Sequence, residues 1–175
     1  MTQTQGSRQA VVNAIASYLG GAGITFLSSS NVFGYPPKVT SEGDFYLEGP
    51  GVQEGAMIFM RLATQRERRI ELRGATGGGK MITYSLQMVI FFRSTKKKSQ
   101  DAASDCDSFL DSLLIAIRAS KTAGTNDGTV FQWGEGTEDG GEDVQLEVGF
   151  PVIVNGSVSQ INARLDVLVL QQTTA

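Results

Sequence analysis

The residues from Gly74 to Lys80 have the spacing of a catalytic motif. They read Gly-Ala-Thr-Gly-Gly-Gly-Lys and fit the pattern G-x-x-x-x-G-K, in which backbone amides and the lysine hold nucleotide phosphates. That chemistry also needs a serine or threonine after the lysine to bind magnesium, and a helix N-terminus beside the phosphates. Met81 follows instead, and the residues after it alternate as in a strand. We therefore interpret the glycines as the tip of a hairpin, with a nucleotide-binding enzyme as the alternative.

Side chains for other familiar kinds of catalysis are scarce. The sequence contains no histidine, which leaves out histidine-based triads and the histidine metal sites of zinc proteases. Its single cysteine, Cys106, can form neither an internal disulfide nor a cysteine-rich zinc site, and its position predicts a core residue. The acidic residues between Thr122 and Asp143 lack the ordered ligand spacing of a calcium loop. We therefore predict a protein that is not an enzyme, with no catalytic, cofactor-binding or metal site.

Basic side chains concentrate in two places, and these are the residues that we expect to contact other molecules. One group lies in a predicted strand before the glycine loop and the other in a turn before a predicted helix: Arg66, Arg68, Arg69 and Arg73, and Lys96, Lys97 and Lys98. Charged side chains are common on edge strands, where they discourage stray pairing, and lysines in turns are commonly solvated. The alternative is a positive surface that faces another subunit, a partner or passing DNA.

The stretch from Lys80 to Lys121 contains the clearest predicted elements, a long strand followed by a helix. We expect the rest of the fold to be arranged around them. Apolar residues at every second position predict a long strand with one buried face: Ile82, Tyr84, Leu86, Met88, Ile90 and Phe92. From Met88 onward both faces are apolar, so we expect that end to be buried on two sides. The apolar period then becomes helical: Ala102, Cys106, Phe109, Leu110, Leu113, Leu114 and Ile117. Ser99 is the predicted N-cap, Gly124 ends the segment, and the helix should lie across the sheet.

Further elements are predicted before this stretch. Ser7 can cap a first helix that ends at Gly20-Gly21. Ile24–Leu27 is at most a short strand. Alternating apolar residues predict a strand over Ala56–Thr64, and a second, arginine-rich strand is predicted over Glu67–Arg73.

The C-terminal residues predict a β-hairpin. Asn155-Gly156 is typical of a two-residue turn, and it lies between two alternating runs. A two-residue turn would pair apolar residues on one face: Phe150 with Ile161, Val148 with Ala163, Leu146 with Leu165, and Val144 with Val167. On the other face Glu147 would lie opposite Arg164. Pro151 cannot donate a ladder hydrogen bond, which indicates an edge position or a bulge beside Gly149.

Length and composition predict a single domain. A chain of 175 residues, 41% hydrophobic and 19% charged, is long enough for one substantial core. We predict an α+β fold with a mostly antiparallel sheet, a mixed sheet being the alternative, with two amphipathic helices on one face and a C-terminal hairpin. Other parts are predicted as irregular: residues 1–6 as a flexible tail, and residues 28–55 and 122–143 as long loops, with a short strand over Val130–Trp133. Loops of that length are often functional.

Net charge and hydropathy indicate which partners and which cellular location to expect. A net charge of −3 argues against a primary role in nucleic-acid binding. No apolar run approaches the ~20 residues that a bilayer-spanning helix needs. The polar N-terminus lacks the apolar core of a secretory signal, so we expect synthesis in the cytoplasm and no membrane partner.

The order of these elements resembles that of the tail terminator proteins of long-tailed bacteriophages. The resemblance is one of architecture and is carried by three stretches: Ser7–Gly20, Met81–Ala119 and Val144–Leu170. It implies a non-enzymatic ring, usually a hexamer, that caps the finished tail tube, stops its growth and joins it to the head-side connector. The implied location is the neck of the virion.

The same resemblance implies the partners. They are other copies of the chain, the tail tube protein, the head-side connector or a head-completion protein, and DNA that passes through the ring without sequence reading. Two other structural functions remain open at this point: a head-completion, neck or tail-tube protein of the same virion, and a cellular scaffold domain.

Overall fold

A computed structural model describes residues 7–36, 54–70, 78–96, 98–134, 144–154 and 158–174. The elements, in chain order, are α1 (Arg8–Gly21), β1 (Leu27–Phe33), β2 (Gly55–Arg69), β3 (Gly79–Ser94), α2 (Ser99–Ala119), β4 (Gln132–Trp133), β5 (Val144–Val148), β6 (Val152–Val154) and β7 (Val158–Thr174). One sheet has the order β1-β2-β3-β7, and β4, β5 and β6 each pair with the far side of β7. The β1–β2 pair is parallel and all other pairs are antiparallel. The predicted α+β fold is confirmed, with the sheet in its mixed form.

β3 is the central strand, and its alternation is as predicted. All six even-numbered residues from Ile82 to Phe92 are buried and face the helices, because α1, α2 and this face of the sheet form the main core. On the other face, Met57 and Phe59 of β2 are buried against Phe33 and Phe91, which are partly exposed. The end of β3 beyond Met88 is thus apolar on both faces, but its second face is only half covered.

α2 lies on the sheet with the predicted stripe inward. Phe109 stacks on Phe92 of β3 with ring centroids 5.8 Å apart. The predicted cap at Ser99 is wrong by one residue. The N-cap is Lys98, whose extended backbone carbonyl accepts the first helical hydrogen bonds while its side chain makes no capping bond. In α1 the predicted cap is confirmed, since the Ser7 hydroxyl accepts the Ala10 N–H at 3.3 Å.

Two predictions about the N-terminal strands are wrong. Ile24–Leu27 is a turn followed by the first residue of β1, so residues 28–33 of the predicted long loop form a strand beside β2. β2 is one continuous strand where two were predicted. An irregularity in register between Leu62 and Thr64 interrupts its pairing with β3 and reverses which residues face the core. That reversal broke the period-2 pattern and suggested two strands.

The C-terminal hairpin follows the predicted register only in β5. Val144, Leu146 and Val148 pair as predicted, and Glu147 lies opposite Arg164. The pairing of Phe150 with Ile161 is wrong, because β6 is displaced by one residue: Val152 pairs with Gln160 and Val154 with Val158. Three residues, 149–151, therefore oppose two residues of β7, which is the bulge that Pro151 indicated. The predicted turn residues Asn155-Gly156 lie outside the described part of the chain.

The second predicted loop is partly ordered against the core. Gln132–Trp133 forms β4, within the predicted Val130–Trp133 strand, and both Val130 and Trp133 are fully buried. Residues 135–143, like residues 1–6 and 37–53, lie outside the described ranges.

The Cys106 thiol offers a direct test of how tightly α2 covers the sheet. Burial raises the pKa of this thiol to about 12, with a smaller contribution from the nearby Asp107 charge. The reactive thiolate is therefore scarce in the folded protein at pH 8. We expect Cys106 to resist alkylation at pH 8 for as long as the chain stays folded, and to react completely in denaturant. Rapid labelling of the native protein would mean that α2 separates readily from the sheet.

Candidate interaction surface

The sheet face opposite the helices, here called the outer face, carries two of the predicted arginines. Residues that pair directly across strands share a face, so Arg66 and Arg68, which pair with Thr83 and Met81, lie on the outer face. Both side chains are exposed. Arg69 pairs with Lys80 and lies on the helix-facing side instead. Arg73 lies outside the described residues.

The predicted lysine group lies at the other end of the sheet. Lys96 and Lys98 are exposed and lie just before α2, while Lys97 lies outside the described residues. Lys96 Nζ lies 2.8 Å from Asp105 Oδ1, and this hydrogen bond is the main cause that raises the Lys96 pKa. At ~3.3 Å per residue, the length of β3 separates the lysines from Arg68 by roughly 40 Å. The two predicted groups therefore do not form one patch.

Arginines outnumber carboxylates along the described strands of the outer face. They are Arg61, Arg66, Arg68, Arg93 and Arg164, against Glu147 and Asp166. Some are held by neighbours: Arg61 Nε donates to Gln87 Oε1 at 2.8 Å, and Arg164 Nη2 lies 2.8 Å from Asp166 Oδ2. Guanidinium groups on a flat, exposed sheet can bind carboxylates or phosphates, and they give the face a positive character.

An aromatic cluster occupies the outer face where β1 meets β2. The Phe33 ring stacks on Phe59 at 4.7 Å and lies 5.4 Å from Tyr35, while Phe59 meets Phe91 edge-on at 6.1 Å. Tyr35 is half exposed. Sequence reasoning missed this cluster because Phe33 and Tyr35 fell inside the predicted loop.

A second apolar surface, here called the apolar edge, lies along β5 and β6. Its side chains are largely exposed: Val148 at 48%, Phe150 at 91%, Val152 at 62% and Ile153 at 69%. β5 and β6 pair with β7, and no other described strand pairs with them. The exposed side chains lie on both faces of this edge, since Val148 and Ile153 pair with residues of the helix-facing side and Val152 pairs with Gln160 on the outer side. Sequence reasoning missed this surface, since the predicted register paired Phe150 with Ile161. Pro151, which indicated a bulge, was the residue from which this exposed surface could have been predicted.

A groove lies at the opposite edge of the sheet, between α1 and β1. It has a volume of about 670 Å³ and is lined by Asn13, Ser17, Gly20, Ser29, Gly34 and Tyr35, among others. A smaller groove of about 200 Å³ shares Gly34 and Tyr35 and continues toward Arg8 and Arg61. Together they form a concave surface with an aromatic rim and two guanidinium groups at one end.

Features of other functional classes are weak in the described residues. Lys80 is the second residue of β3, so a strand and not a helix follows the glycine motif, and its Nζ lies 3.8 Å from Glu67 Oε2. Residues 74–77 of the motif lie outside the described ranges. Among the residues that the structure describes, no three potential metal ligands cluster together. Neither described helix has both the length and the apolar composition needed to cross a membrane.

No protein-family model and no curated protein matches this chain. Its function must therefore be inferred from the surfaces themselves. Two apolar surfaces at opposite edges of one sheet, and an arginine-bearing face between them, are suited to protein contacts.

Proposed function

We propose that this chain is a structural subunit that works as an assembly of its own copies, and that the assembly is the tail terminator ring of a long-tailed bacteriophage. In that role the ring caps the tail tube and joins it to the head-side connector. The observation that carries the proposal is the apolar edge, where Phe150, Val152 and Ile153 stand out from the sheet into solvent.

The size of that surface favours assembly. Four largely exposed aliphatic and aromatic side chains amount to on the order of 400 Å² of apolar area. Contiguous exposed apolar patches of a few hundred Å² commonly mark interaction sites on soluble proteins. A stable interface buries about 800 Å² on each partner, so a partner that covered both faces of the apolar edge would obtain roughly half of one side from it.

The outer face suits the remaining contacts of a terminator. Arg66 and Arg68 are exposed where β2 extends beyond the end of β1, so they are free to meet negative groups on a neighbouring protein or on DNA in the ring. The element order supports the same proposal, because α1, the β3–α2 unit and the β5–β7 hairpin correspond to the three stretches that carry the resemblance.

The position of the chain in the virion tests the proposal. Antibodies raised against the purified chain are expected to label purified particles at the head-proximal end of the tail, as seen by electron microscopy. Particles assembled without the chain are expected to have tails of uncontrolled length that are not joined to heads. Labelling along the whole tube, or absence of the chain from purified virions, would contradict the proposed function.

A further inference from the structure

We propose that the apolar edge of one copy docks into the α1–β1 groove of the next copy, with Phe150 as the inserting side chain. This inference rests on the proposed function, because it names the surfaces through which copies of the chain would associate.

Phe150 has the properties of a side chain that inserts. It lies in the bulge between β5 and β6, and 91% of it is exposed. The same bulge and Pro151 disfavour docking by strand addition, because Pro151 has no N–H to donate and a bulged edge is irregular. The bulge and Pro151 therefore make this edge unsuitable for pairing with another strand, while its apolar side chains remain exposed. It is suited to contacts made by side chains.

The α1–β1 groove has the properties of the receiving site. Its volume of about 670 Å³ exceeds that of a phenyl ring, and Phe33 and Tyr35 supply aromatic surface on its wall. Gly34 leaves room in the wall, because a Cβ at this position would lie 2.8 Å from Asn13 Oδ1 and the Asn13 side chain would have to shift.

Charge favours the same pairing. Glu147, three residues before Phe150, is exposed beside the apolar edge. Arg8 and Arg61 line the smaller groove that adjoins the receiving site through Gly34 and Tyr35. Insertion of Phe150 would bring the Glu147 carboxylate toward the positive charges of Arg8 and Arg61, which favours this occupant over a neutral peptide. Both guanidinium groups already donate within their own chain, Arg8 to Gln65 and the Leu62 carbonyl and Arg61 to Gln87, so the gain comes from charge and not from unmet hydrogen bonds.

The positions of the two surfaces determine the symmetry of the contact. The apolar edge lies beside β7 and the groove lies beside β1, at opposite edges of the sheet. A contact between two different surfaces is head-to-tail, so each copy still offers one free surface of each kind. Such a contact closes into a ring when the rotation between copies allows it, in keeping with the proposed terminator.

Self-association of purified variants tests the docking. Phe150→Asp is expected to weaken association by roughly 30-fold or more in sedimentation equilibrium, as for a central interface residue. The matched control is Ile115→Asp, because Ile115 is also a large exposed apolar residue, 66% exposed, and lies on α2, in neither the apolar edge nor the groove. We expect the control to associate like the wild type and both variants to have the circular dichroism of the wild type. Equal association of Phe150→Asp and wild type, or a wild type that stays monomeric at all concentrations, would contradict the inference.

Disulfide cross-linking identifies the two surfaces directly. Copies carrying Phe150→Cys, mixed with copies carrying Ser17→Cys, are expected to form a mixed dimer on mild oxidation, since Ser17 is exposed in the groove. Cys106 can remain in place because it is buried. Cross-linking of Phe150→Cys to itself alone would instead indicate a two-fold contact and overturn the inference. The proposed function would be unaffected by that result, since the virion labelling decides it separately.

Discussion

Replacing Trp133 with alanine is expected to lower the free energy of unfolding by about 3–5 kcal/mol, the usual cost of truncating a large buried aromatic residue. Trp133 is 1% exposed and lies where α1, α2 and β7 meet. Its ring meets Tyr18 of α1 edge-on at 5.9 Å, and its indole N–H donates to the Ser120 carbonyl at the end of α2. Its backbone pairs with Val169 of β7. Trp133 thus joins both helices to the sheet, the helices through its side chain and β7 through its backbone.

Urea unfolding followed by circular dichroism measures this effect. For a chain of this length, the same loss corresponds to a fall in Tm of roughly 10 °C. Phe131→Ala is the matched control, because Phe131 is an exposed aromatic residue in the same segment, and we expect it to cost under about 1 kcal/mol. If the two substitutions had equal effects, Trp133 would not be the anchor of this segment.

A methyl group at Gly134 is expected to cost about 2–5 kcal/mol, since two separate penalties add. Gly134 has φ +67°, a left-handed conformation that costs a residue with a Cβ about 1–2 kcal/mol. The added Cβ would also lie 2.5 Å from Cγ2 of Ile117. Ile117 is buried within α2, and β-branched side chains in helices have one strongly preferred rotamer, so it cannot easily move away. Overpacking of this kind costs about 1–3 kcal/mol.

Gly23→Ala separates the two penalties. Gly23 has nearly the same backbone angle, φ +66°, but an added Cβ would have no neighbour within 4 Å. We expect Gly23→Ala to show the backbone penalty alone, so the difference between the two variants in urea unfolding measures the clash with Ile117. If Gly134→Ala and Gly23→Ala lowered the free energy of unfolding equally, Ile117 would accommodate the added methyl group with no loss of stability.

These two residues change the interpretation of the glycine-rich segment after α2. It was predicted as a long solvated loop because its sequence is acidic and rich in glycine. Residues up to Gly134 instead close the core. The Phe131 N–H donates to the Leu170 carbonyl at 2.8 Å, and the Gly134 N–H donates to the Leu168 carbonyl at 3.2 Å. This part of the segment therefore contributes to stability, and an interaction surface must be sought elsewhere.

The sequence by itself determined the parts of the fold whose cause is local. The alternation from Ile82 to Phe92 and the stripe of α2 predict their buried faces because a strand repeats every two residues and a helix every 3.6. The pairing of Val144 with Val167 followed from matching two alternating runs. The arginines were interpreted as residues of an edge strand, and Arg66 and Arg68 do lie where β2 extends beyond its pairing with β1.

Only the tertiary structure decided where the regular patterns break. The irregularity after Leu62 and the bulge at residues 149–151 depend on which strand lies alongside. The sequence pattern within a strand does not reveal its neighbour in the sheet. The parallel pairing of β1 with β2 likewise joins residues that the sequence separates by a long segment. Phe150 lies in that bulge without a partner in the β5–β7 or β6–β7 pairing, so its exposure could not be predicted from the alternation of the strand. The apolar edge and the groove that we propose as its partner both arise from such long-range contacts.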